Sequence, residues 1–189
     1  MPQVLHAFDW PDRFVVGTVG EPGSRTFFLQ ARTRDELVSV ALEKEQSAAL
    51  AAGIDQILDE LMTRDGNRYS VPAEAPEALA DTAPLDEPVQ EQFRVGTLSL
   101  GWDPSSAQIV VEAGSLDGDG DGGGAELGDV DPETVEPEEV FVVRVPVGAA
   151  RAFARRTHQV VAAGRPLCPL CGTPMDPGNH VCPRPEDLT

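Results

Sequence analysis

The chain has 189 residues, 41% of them apolar, which is enough for one domain with a buried core and a small appendage. Its formal charge of −18 is local rather than global: residues 71–139 hold 18 acidic side chains against Arg94 alone, whereas the rest holds 14 acidic and 13 basic. No apolar run approaches the roughly 20 residues that span a bilayer, and residues 1–6 lack the basic and apolar character of a secretory leader, so a cytoplasmic protein is expected, with an acidic balance that disfavours nucleic acid.

In chain order, residues 13–19 and 25–30 are short β-branched and aromatic runs separated by Gly20-Glu21-Pro22-Gly23-Ser24, and they predict a hairpin. Trp10 precedes Pro11 and is expected to be extended. Residues 35–62 take a helical period through Leu37, Val40, Ala41, Leu50, Ile54, Ile57, Leu58 and Leu61, with Thr33-x-x-Glu36 as a capping box and Asp65-Gly66 as the stop. Gly53 leaves a bend or two shorter helices open. Residues 72–91 carry Pro72, Pro76, Pro84 and Pro88 among acids, and they read as a linker with at most one helical turn.

Residues 93–102 and 107–113 form two further strands across an Asp103-Pro104-Ser105-Ser106 turn, with a bulge expected near Gly96 to reconcile the alternation. Residues 117–139 are of low complexity and are expected to be a disordered acidic loop within the domain. Asp117-Gly118-Asp119-Gly120-Asp121-Gly122 copies the first half of a calcium loop, but the twelfth position is Gly128 where a bidentate glutamate is required. Residues 141–145 give a fifth strand, and 148–164 an amphipathic helix burying Phe153, Val160 and Val161, with Arg151 and Arg155 one turn apart. The fold class expected is α+β: a mostly antiparallel sheet of about five strands, two main helices over residues 1–165, and a zinc-binding tail over 166–189.

That tail holds every cysteine of the chain. Cys168, Cys171, His180 and Cys182 follow the spacing C-x2-C-x8-H-x-C, three thiolates and an imidazole for one tetrahedral zinc. Pro169 and Gly172 suit a tight turn around the first pair. Asp176 is a possible substitute for His180, although imidazole suits zinc better than a lone carboxylate among thiolates. Four protein ligands leave no open position, so the metal would be structural.

Catalytic patterns are harder to find. No serine or cysteine sits in a nucleophile elbow, and no phosphate-binding glycine loop occurs. Two polar groups remain as candidate ligand or partner sites: His6, Asp9, Asp12, Arg13, Arg25 and Arg32 around the hairpin, and Arg144, Arg151, Arg155 and Arg156 near the last helix. Ordinary solvated surface is the plain alternative for both.

The run His6-Ala7-Phe8-Asp9-Trp10-Pro11-Asp12-Arg13-Phe14-Val15-Val16-Gly17-Thr18-Val19-Gly20, the segment Phe27-Phe28-Leu29-Gln30-Ala31 and the tail Cys168-Pro169-Leu170-Cys171-Gly172 through Pro174-Met175-Asp176-Pro177 together resemble an actinobacterial family of unknown function, the ParJ-like proteins. The resemblance covers nearly all of the chain outside the acidic loop. It implies a regulatory protein that binds another cytoplasmic protein, a ParA-type segregation ATPase, and it brings no catalytic residues with it. The family's association with kinase-like and phosphatase-like neighbours implies the alternative of an enzyme, or a binder of phosphate ligands or nucleic acid.

Overall fold

The computed structural model describes residues 3–116, 137–164, Cys168 and Met175. Seven strands form one mixed sheet: β1 (Val4–Asp9), β2 (Arg13–Val19), β3 (Thr26–Arg32), β4 (Leu37–Leu42), β5 (Glu91–Asp103), β6 (Gln108–Ser115) and β7 (Glu139–Pro146), in the order β1-β7-β6-β5-β4-β3-β2. Two helices, α1 (Lys44–Thr63) and α2 (Val147–Ala162), pack against each other and share one core with a single face of the sheet. The chain thus runs twice through three antiparallel strands and a helix, β2-β3-β4-α1 and then β5-β6-β7-α2.

The α+β class and both helices agree with the sequence, but the sheet corrects the expectation of about five mostly antiparallel strands. β1 and β4 are the additional strands, and they supply the two parallel pairings, β1 with β7 and β4 with β5. The helical spacing of Leu37, Val40 and Ala41 predicts helix over residues 37–42, where the structure has a strand. The strand is buried on both faces, and that erases the period of two by which half-buried strands are recognised. Helix α1 begins only at Lys44, where the side chain of Gln46 accepts a hydrogen bond from the Glu43 amide at 2.9 Å. It runs unbroken through Gly53, at which a β-carbon would come within 3.0 Å of Leu100, so the glycine marks a close approach to β5 rather than a bend.

The hairpin of β2 and β3, the strands β5 and β6, the irregularity between Val95 and Thr97, and the Asp103 turn all fall where the residues placed them. The 72–91 segment holds one short 3-10 turn, Glu77–Leu79, yet it is no solvated linker. Leu85 packs with Val15, Phe28 and Ala41 on the second face of β2, β3 and β4, and a β-carbon on Gly17 would stand 2.6 Å from the Leu85 side chain. Gln30, fully buried, donates to Ser39 Oγ and to the Asp86 carbonyl and accepts from the Asp86 amide at 2.8 Å, so the strap is sewn to the sheet through polar groups.

β1 and β2 lie at opposite ends of the strand order, yet only Trp10, Pro11 and Asp12 connect them. Four residue steps reach at most about 14 Å, whereas the edges of a flat sheet of seven strands stand roughly 29 Å apart. The sheet is therefore strongly coiled, and its two edges meet at the elbow 10–12. Trp10 turns that corner with φ of 54°, in the left-handed region, instead of the extended conformation expected before proline.

Candidate functional site

The elbow and the first half of α2 enclose a cleft of about 210 Å³. Its floor is apolar, built on Phe14 and Phe153, whose rings stack with centroids 4.2 Å apart, together with Val145, Pro146 and Ala149. Trp10, 61% exposed, and Leu79, 47% exposed, stand at the mouth. A tryptophan held in water by a costly backbone conformation at the lip of an apolar cleft is an unusual arrangement for a residue type that normally buries its ring.

Arg13, Asp81 and Arg156 form the polar wall. Arg13 grips Asp81 through Nε to Oδ2 at 2.6 Å and Nη2 to Oδ1 at 2.9 Å, and its Nη1 lies 3.0 Å from Asp86 Oδ2. The same side chain donates to the carbonyls of Ala83 and Pro84. Arg156 donates to the carbonyls of Val16, Asp81 and Ala83 and to Asp81 Oδ1 at 2.8 Å. The hydrogen bond from Arg13 holds the Asp81 carboxyl below the usual carboxylate range, and the Asp81 hydrogen bond in turn raises the Arg13 guanidinium. Arg156 is pulled the other way, because desolvation outweighs the attraction of Asp81. These guanidiniums are committed to fastening the 81–86 strap to the sheet and have little capacity left for a ligand.

A second cluster joins the helices. Buried Arg151 bridges Asp55 and Asp59, one turn apart on α1, at 2.7 Å each, and donates to the Pro72 carbonyl. Burial lowers the Arg151 pKa, but the hydrogen bonds it donates to Asp59 and Asp55 outweigh it and the net direction is up. His158 Nε2 lies 2.9 Å from Asp55 Oδ2. Glu74, Glu77 and Arg155 widen this seam into an open depression of about 680 Å³.

Of the residues singled out from sequence, Asp12, Arg13 and Arg156 come together at the cleft, and Arg32 joins them through Asp86 Oδ1 at 3.3 Å. The others do not converge there. His6 pairs with Glu139 at 3.0 Å and approaches Glu36 at 3.9 Å, and it lowers the Glu139 pKa; Asp9 accepts from Gln108 at 2.9 Å. Arg25 lies over the Phe27 ring, and Arg144 pairs with Asp103 at 2.9 Å. Arg151 belongs to the helix seam and Arg155 is exposed beside it, so the last helix does not present its arginines as one basic face. Trp10, Leu79 and Asp81 were missed, since neither the left-handed backbone nor the inward turn of a proline-rich strap has a local signal.

Cys171, His180 and Cys182 lie outside the described residues, as does the 117–136 part of the acidic loop; Cys168 is buried. Among the described residues no group of three or more histidine, cysteine, aspartate or glutamate side chains is placed to hold a metal, and no helix is long and apolar enough to cross a membrane. The zinc-binding tail expected as part of the fold is accordingly not seen there as a site.

No curated protein and no solved structure matches the chain. A family model described as "Protein of unknown function (DUF3090)" matches residues 6–182, which takes in β1 from His6 onward, the elbow, the strap, both helices and the four tail positions Cys168, Cys171, His180 and Cys182. The chain therefore belongs to the DUF3090 family.

Proposed function

We propose that this protein is a regulatory protein-interaction module rather than an enzyme, and that it docks another protein at the elbow cleft. The observation carrying the reading is Trp10, exposed at the mouth of an apolar cleft beside exposed Leu79. Tryptophan next to a desolvated pocket is the usual composition of an interaction hot spot. At about 210 Å³ the cleft is below the roughly 300–1,000 Å³ of small-molecule sites and is of a size for one leucine, methionine or phenylalanine side chain of a partner.

The alternative, an enzyme or a binder of phosphate ligands or nucleic acid, draws less support. Arg13, Arg32, Arg144, Arg151 and Arg156 all pair with carboxylates. The resemblance to ParJ-like proteins makes a ParA-type ATPase the first partner to test. For the tail we propose a structural zinc on Cys168, Cys171, His180 and Cys182, a reading that rests on their spacing.

The test is calorimetric titration of the protein with the ParA-type ATPase of the same organism. Trp10→Ala should weaken binding by tenfold or more while leaving the melting temperature within a few degrees. Binding of the variant as tight as that of the natural chain would remove the cleft from the interface.

A further inference from the structure

The two edges of the coiled sheet are treated differently. β2 is covered: α2 packs on it, and Arg156 donates to the outward carbonyl of Val16. β1 pairs with β7 alone among the described strands. The amides of Val4 and Trp10 donate to Glu138 and Arg144 on the β7 side, so in this parallel ladder the even positions face β7 and the backbone groups of Leu5, Ala7 and Asp9 face away from it. Those three side chains are exposed, Leu5 at 60%. Apart from Asp9 at its end, Val-Leu-His-Ala-Phe-Asp lacks the devices that usually blunt an edge: no lysine or proline interrupts it, and its register with β7 is continuous, without a bulge.

We propose that the outer edge of β1 accepts an extended basic segment of another protein as an eighth strand. The charge around the edge selects that occupant. Asp9 lies on the strand, Glu138 precedes and Glu139 starts the neighbouring strand, and Glu36 stands beside His6. Arg144, which lies opposite Asp9 in the ladder, is already paired with Asp103. A second copy of this chain would bring the same carboxylates against themselves, whereas lysine or arginine alternating with apolar residues would meet Leu5 and the acids together. The surface is separate from the cleft, and the proposal stands or falls independently of it.

The test uses the full-length chain, labelled for NMR, and an acetylated heptapeptide alternating lysine and valine, with a glutamate–valine heptapeptide as control. The basic peptide should slow amide exchange at Leu5 and Ala7 at least tenfold and shift resonances along β1, and the acidic peptide should do neither. Ala7→Pro removes only an outward amide and spares the ladder to β7, so it should abolish the effect in a folded protein. If that variant proves unstable, Leu5→Lys serves instead, placing a like charge against the peptide. Trp10→Ala should leave the effect intact. Unchanged exchange, an equal response to the acidic peptide, shifts remote from β1, or concentration-dependent self-association through β1 would each overturn the proposal.

Discussion

Arg156 donates a hydrogen bond from Nε to the carbonyl oxygen of Val16 at 3.0 Å, joining α2 to the edge of β2 across 140 positions of sequence. The same guanidinium holds Asp81, so one side chain ties helix, sheet and strap together. Replacing it with leucine keeps some of the packing but leaves the Val16 carbonyl without its donor. Arg156→Leu should cost about 3 kcal/mol, read as the midpoint shift in urea unfolding, whereas exposed Arg155→Ala should fall within about 0.5 kcal/mol.

Gly17 is a packing prediction. A methyl group there would overlap Leu85, 2.6 Å away, and that side chain is itself buried under the strap. Gly17→Ala should destabilise by about 1–3 kcal/mol. Adding Leu85→Ala to it should cost less than the sum of the two single changes, and strict additivity in the double-mutant cycle would show that the two positions do not press on each other.

Two carboxylates contribute to the response to acid, beside Asp103, which the Ser105 hydroxyl and amide hold below the usual carboxylate range. Asp81 is depressed by its hydrogen bond from Arg13, and Glu139 by its hydrogen bond from His6. A carboxyl whose folded pKa lies below its unfolded value contributes stability that is complete above the unfolded value, about 4, and disappears as pH falls through the folded one. Unfolding free energy should therefore be flat in this contribution near neutrality and decline below about pH 4. Asp81→Asn should lower stability at neutral pH by about 2 kcal/mol and flatten the acid limb. An acid limb of unaltered slope in that variant would assign the lability to other carboxylates.

The tail gives a metal prediction. Purified protein should carry about one zinc per chain by elemental analysis, and Cys168→Ser should reduce that content. Because a structural metal supplies folding free energy to a small unit, chelation should increase proteolysis after Gly164 while leaving the melting of the sheet nearly unchanged.

What the sequence made legible follows from how each segment is buried. The hairpin of β2 and β3, the paired strands β5 and β6 and the last helix carry periodicity or turn residues of their own, and they were placed within a few residues. β4 was not, because Ser39 and Ala41 face the strap instead of water and its pattern lost its polar half. The strap was misread for a related reason: four prolines announce the absence of regular structure, but they do not say whether Leu85 ends in solvent or against Gly17. At the cleft, Arg13 and Arg156 were visible as charges, while their saturation by Asp81 and Asp86 depends on contacts 68 to 75 positions away. Trp10 offered no signal at all, since a tryptophan before proline reads as extended backbone and its left-handed φ is imposed by the meeting of two sheet edges.

The parallel pairing of β1 with β7 also orders events in time. Val4 lies opposite Glu139, so β1, made before the other six described strands, cannot dock on β7 until 135 further residues have been made. At roughly 5–20 residues per second that wait is on the order of 10 s, long compared with the microseconds in which a hairpin such as β2 with β3 closes. The earliest made of the seven described strands thus waits for the latest, and for those seconds its amides are without their partners on β7.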